Sequence, residues 1–401
     1  MKLKFVIILL LLTNVPLFPR DIDLDAIYIN SASPVYKQIV AEKENLYSAI
    51  SSMFVDSGII YAAWADGDRI LYVKEFSGIN IVYIYSKSGM SRRELCRFPG
   101  TVTASVHNSR GNMVTLKTIY YNDDAEAESK NFHIDLSTLE VREERSRSLF
   151  INFSPYPQAR AVTRQGSDGI HRYDPFTGNS RIVVPRDLYA DMQCRGEPVI
   201  AHISPDEKKK LLICGNGGAY EARLLNGSSI TGINGITSAG DARWINNSRF
   251  IYRSGGGGDY SARVYDLNTG KTMEIISGSM NPDIHFSERP GVITCLENQM
   301  ITIFNASLKD KTITGIEGEE TTFSPDGRKF ISLLRGKLYV TSLSMMEKYQ
   351  IEIRRNAGKL LSLYRKASGM KEFHENGFTP EYIDKKISQY EKYLKIDRKN
   401  R

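Results

Sequence analysis

Three of the six histidines, His107, His202 and His285, each lie beside an aliphatic or aromatic residue that recurs roughly every forty residues. Imidazoles brought together from separate strands could hold a divalent metal, so a metal site assembled across repeats is the first chemistry to weigh. His107 follows its neighbour Val106, whereas His202 and His285 precede Ile203 and Phe286. Successive strand residues point to opposite faces, so this spacing separates His107 from the other two, and ordinary strand histidines are the simpler expectation. Other catalytic patterns are missing outright. The chain contains no G-x-S-x-G nucleophile elbow, no H-E-x-x-H and no Cys-x-x-Cys. Gly215, Gly217, Gly218 and the run Gly255 to Gly258 would suit a phosphate cradle only before a helix N-terminus. They fall between strand-like runs and read as hairpin loops. Of the four cysteines, Cys194 and Cys214 could bridge, but buried strand thiols at Cys96, Cys194, Cys214 and Cys295 are the plainer expectation.

These residues sit on a repeating element whose clearest copy runs from Phe323 to Leu343. Ser324, Pro325, Asp326 and Gly327 are the residues a type I turn asks for, and apolar runs follow at Phe330 to Leu334 and Leu338 to Leu343. Aligned on Phe323, the chain shows anchors at Trp64, Val106, Phe153, Ile203, Trp244 and Phe286, spaced 42, 47, 50, 41, 42 and 37 residues. That is the period of four-stranded propeller blades. One blade cannot bury both faces of its sheet, which explains runs that are apolar on successive residues; packing blades around a ring covers them. The expected fold is an all-β, seven-bladed β-propeller, or six-bladed if a degraded unit is discounted, over residues 58–345. Ring closure needs a strand from one terminus, and Ala26 to Ala41, with Ile27, Tyr28, Ile29, Val35, Tyr36, Ile39 and Val40, is the candidate within the segment 21–57.

Flanking segments differ in kind. Lys2 and Lys4 before the apolar run Phe5 to Leu12 read as a signal peptide or N-terminal anchor over residues 1–20, too short to span a bilayer, which needs about 20 apolar residues. Residues 347–401 carry 14 Lys/Arg against 8 Asp/Glu, so most of the net charge of +7 belongs to the tail. A near-neutral body argues against a nucleic-acid surface. Residues 346–401 read as basic amphipathic helices, the last opened by Thr379 and Pro380. Its apolar stripe, Tyr382, Ile383, Ile387, Tyr390 and Leu394, either packs on the propeller rim or docks a partner protein or an anionic membrane surface.

The motifs F-S-P-D-G at Phe323, I-S-P-D at Ile203, F-S-P at Phe153 and W-A-D-G at Trp64 resemble the repeats of TolB-like propellers, related in architecture to WD-repeat proteins. The resemblance implies an extracytoplasmic interaction scaffold, periplasmic or secreted, needing no cofactor and binding another envelope or secreted protein. TolB itself has six blades behind an α/β domain, for which residues 21–57 leave no room. Peptidases with similar repeats need a whole hydrolase domain, which the tail cannot supply. The alternative implied is an enzyme or carbohydrate-binding protein working in the central channel, since some polysaccharide-cleaving relatives hold a metal there through histidines.

Overall fold

The structure, a computed structural model, describes residues 33–396 apart from 52, 109–111, 122–125, 147–152, 158, 192–196, 217–218, 237–241, 257–258, 280–282, 287–291, 306–307, 309–310 and 371–378. Helix α1 (Pro34–Ile50) leads into the short strand β1 (Met53–Asp56). Blade 1 is β2 (Ile59–Trp64), β3 (Arg69–Phe76), β4 (Ile79–Ser86) and β5 (Ser91–Pro99); blade 2 is β6 (Thr101–Asn108), β7 (Met113–Tyr121), β8 (Ala127–Asp135) and β9 (Val141–Ser146). Blade 3 is β10 (Phe153–Pro155), β11 (Val162–Gly166), β12 (Gly169–Tyr173) and β13 (Ser180–Pro185), followed by the one-turn helix α2 (Leu188–Asp191). Blade 4 is β14 (Glu197–Ile203), β15 (Lys209–Asn216), β16 (Ala219–Asn226) and β17 (Ser229–Ile233). Blade 5 is β18 (Ala242–Asn246), β19 (Arg249–Gly256), β20 (Asp259–Asp266) and β21 (Lys271–Ser279); blade 6 is β22 (Asp283–Phe286), β23 (Val292–Glu297), β24 (Met300–Asn305) and β25 (Lys311–Glu317). Blade 7 joins β26 (Glu320–Phe323), β27 (Lys329–Leu334) and β28 (Lys337–Ser342) to β1, and α3 (Leu343–Lys348), α4 (Gln350–Ser368) and α5 (Pro380–Ile396) follow.

The fold is thus a seven-bladed propeller of four-stranded antiparallel sheets with a helical C-terminal region. All seven anchors lie on first strands, and the first strands of blades 2, 3, 4 and 5, and of blades 6, 7 and 1, contact one another in succession, which places them toward the axis. The core is divided among the seams: one apolar cluster joins blades 1 and 2, others join 3 to 4, 4 to 5, 5 to 6 and 7 to 1. Trp64 closes one seam by donating its indole N–H to the Thr322 carbonyl of blade 7 at 3.1 Å, and Trp244 does the same to His202 of blade 4 at 2.9 Å.

The turn chemistry explains why the repeat is so legible. At Ser324 the hydroxyl donates to Asp326 (2.5 Å) and accepts from the Lys329 amide (3.0 Å), while the Gly327 amide bonds back to the Ser324 carbonyl at 2.8 Å. Ser204, Asp206 and Lys209 repeat every one of these bonds in blade 4.

Two expectations are corrected. The closing strand is Met53–Asp56, not Ala26 to Ala41. Val35, Tyr36, Ile39 and Val40 lie on α1, because Ser33 caps the helix by accepting the Tyr36 amide and Pro34 occupies its first turn; Ile27 to Ile29 lie outside the described residues. The cysteines are not all thiols either. Cys214 is disulfide-bonded while Cys96 and Cys295 are free; Cys194 lies outside the described residues.

Candidate interaction face

Each blade is an antiparallel meander, so its central hairpin and its connection to the next blade fall at one end of the ring. This hairpin face carries two contrasting halves.

At blades 6 and 7 it is covered. The side chain of Glu317, at the end of β25, is almost wholly buried and bonds Lys43 of α1 (2.6 Å), Lys386 of α5 (2.8 Å) and the Tyr390 hydroxyl of α5 (2.5 Å). Burial alone would raise its pKa, but the two ammonium groups outweigh that and hold it down to about 2. Burial pulls Lys386 down to about 8, whereas the Glu317 carboxylate more than offsets burial at Lys43 and raises it. Lys386 also donates to the Asn298 carbonyl, Gln389 to the Glu297 carbonyl, and Glu44 of α1 pairs with Lys337 at 2.8 Å. A small cleft of about 280 Å³ remains between α1, α5 and these hairpins, walled by Tyr36, Ile39, Leu334 and Tyr382 with Lys43 and Arg335 at its edge.

The five tail residues face inward. Ile383 and Tyr390 are fully buried, and Tyr382, Ile387 and Leu394 pack beside them against Val35, Ile39, Leu360 and Tyr364. The apolar stripes of α1, α4 and α5 cover one another, so of the two readings of the stripe these contacts favour packing as a core face.

At blades 1 and 2 the described residues leave large apolar side chains exposed on the same face. Phe76 (69 % exposed) and Ile79 (44 %) pair across the blade 1 hairpin, and Tyr121 (56 %) ends β7 at the blade 2 hairpin. Gly100 joins the two tips. Its amide donates to the Gly78 carbonyl at 3.2 Å, and a Cβ on it would stand 2.8 Å from Cβ of Tyr120. Tyr220, also exposed, stands one residue in from the end of the blade 4 hairpin, opposite Gly215.

His202 is buried and its Nδ1 lies 3.0 Å from the Ser154 hydroxyl of blade 3, so it fastens a seam. His107 and His285 lie on the first strands β6 and β22; the side chain of His285 is outside the described set. Among the described residues no group of three or more His, Cys, Asp or Glu is placed to hold a metal. Sequence reasoning missed Thr115, His133 and Glu144, linked at 2.9 and 3.2 Å in the order of a nucleophile, base and acid. Thr115 and His133 are sealed inside blade 2 and Glu144 pairs with Arg164 of blade 3, so the set lacks access for a substrate and serves as a suture. Of the glycine clusters, Gly215 lies on β15 and Gly255 and Gly256 close β19, while Gly217, Gly218, Gly257 and Gly258 lie outside the described residues.

No protein family and no curated protein matches the chain. Solved structures do. The chain is similar to TolB from Acinetobacter baumannii (17 % identity, TM-score 0.37, 55 % of this chain and 54 % of that one), so it matches about half of that protein's length. It is similar to an oligogalacturonate lyase in complex with manganese (14 %, 0.43, 74 % and 91 %) and to the β-propeller domain of the Trilobed protease from Pyrococcus furiosus (11 %, 0.43, 64 % and 83 %). These likenesses concern the propeller fold alone.

Proposed function

We propose that this chain is a non-catalytic, extracytoplasmic propeller scaffold that binds another envelope or secreted protein on the blade 1 and 2 side of its hairpin face. The observation that carries the reading is the exposed Phe76 and Ile79 pair at the blade 1 hairpin together with the exposed Tyr121 at the neighbouring blade 2 hairpin. Large apolar side chains gathered at neighbouring loop tips cost solvation unless something covers them, and aromatic residues supply most of the energy at protein interfaces. The signal-like N-terminus and the disulfide at Cys214 support an oxidising, extracytoplasmic setting. Sealed polar clusters support binding over chemistry at the sites described.

The test is affinity capture from solubilised envelope with three baits: the wild-type chain, F76S/I79S/Y121S, and M90S, whose exposed methionine lies at the opposite end of blade 1. All three should melt within a few degrees of one another. A protein retained by wild type and M90S but lost at least tenfold with the triple variant is the expected result. Equal retention by all three baits, or retention of nothing, overturns the reading.

A further inference from the structure

Both ends of the described chain converge on one carboxylate. Glu317 receives Lys43 from α1, the helix just before the closing strand, and Lys386 and Tyr390 from α5, the last helix. Among the described residues β1 pairs with β28 at three positions, Met53 with Val340, Phe54 with Tyr339 and Asp56 with Leu338, with a register break between the last two. On the blade 7 side α1 and the residue after it add further fastenings: the Tyr47 hydroxyl donates to the Glu317 carbonyl at 2.7 Å, its ring stacks on Tyr339 at 4.7 Å, and Ser51 lies 3.3 Å from Thr341.

We infer that α5 is a latch on ring closure. It neutralises and orders Glu317 from one side while α1 holds the same residue from the other, and α4 packs against both helices. Without α5, one of the two cations on the buried carboxylate is gone and α4 loses its cover, so α1 loosens and β1 peels from β28. On the blade 1 side Asp56 still grips Tyr72, Lys74 and Arg92, each at 3.0 Å, so the strand stays with blade 1 and the ring opens inside blade 7. The tail thereby controls whether the propeller is a closed ring.

Hydrogen exchange on the full chain tests this with Lys386→Met, which removes one cation, and Tyr390→Phe, which removes one hydrogen bond and is the milder change. Amides of residues 33–58 should exchange at least tenfold faster in Lys386→Met, and to a smaller degree in Tyr390→Phe, while β15 and β16 of blade 4 keep their wild-type rates. A cross-link made by S51C/T341C should restore slow exchange in β1 without restoring it in α5. Acceleration confined to α5, equal acceleration in blade 4, or no change in either variant would each overturn the inference.

Discussion

Glu317 is the residue on which the helical region depends, and it predicts an acid response. Its folded pKa of about 2 lies below the usual 4.5, so it binds fewer protons than in the unfolded chain. The stability it supplies is complete above 4.5 and is lost as pH falls from there toward 2. A difference of that size corresponds to about 3 kcal/mol. Between pH 7 and 3 the wild type should therefore lose more stability than the charge-free variant K43M/E317Q/K386M, as measured by denaturant midpoints at each pH. Parallel losses would show that the carboxylate is not the acid-sensitive group. None of this was legible from sequence: Lys43, Glu317 and Lys386 are hundreds of residues apart in places, and no local pattern announces that three charges share one buried point. The histidines show the converse. Their anchors were legible, but His202 turns to Ser154 in the next blade, a contact fixed only by how the blades pack.

At the scale of elements, the turns were the readable part because their bonds are local. Ser324 to Lys329 folds on itself, and the same residues at Ser204 fold the same way. The exception is instructive. Glu207 takes the left-handed position that Gly327 holds, at φ +60°, and its carboxylate accepts from Tyr156 of blade 3 at 2.8 Å, so a side chain is kept where glycine would be easier. The apolar residues of α1 read equally as strand, and what decides for helix is Ser33 and Pro34, the same start signal as Thr379 and Pro380. Glycines make the sharpest test here. Gly227 (φ +61°) has no atom within 4 Å of a built Cβ, whereas at Gly100 (φ +93°) that Cβ would stand 2.4 Å from the Ile119 carbonyl oxygen. Gly227→Ala should cost about 1 kcal/mol, the price of a left-handed alanine. Gly100→Ala should cost clearly more, roughly 3 kcal/mol, because backbone must also move. Equal losses in urea unfolding would show that the connection between blades 1 and 2 is softer than its geometry.

At the scale of the whole molecule, the seams differ in kind, and blade 3 is joined to both neighbours through ion pairs. Its first strand has three residues and none of its strands exceeds six, whereas β15 and β16 of blade 4 have eight each. Shorter strands bury less and bond less, and charges take up part of the work. Arg160 pairs with Asp135 of blade 2, whose carboxyl is held at about 2 because the Ser137 hydroxyl and the Arg160 guanidinium outweigh burial; Arg164 pairs with Glu144 of blade 2, and Arg181 with Glu207 of blade 4 at 3.3 Å. Anchor spacing revealed the blade but not these ion pairs, which only the packing of neighbouring blades brings together. Half-exposed ion pairs are screened by salt while apolar seams are not. Amides of β10 to β13 should therefore exchange first among the blades, and raising salt from 0.1 to 1 M should speed them several-fold further. Blade 4 should hold its rate, because its seams on either side are apolar clusters. If blade 3 exchanged no faster than blade 4, or slowed with salt, then its arginines would be exposed ornaments on a sheet held by its core alone, and the ring would be uniform in strength despite its uneven strands.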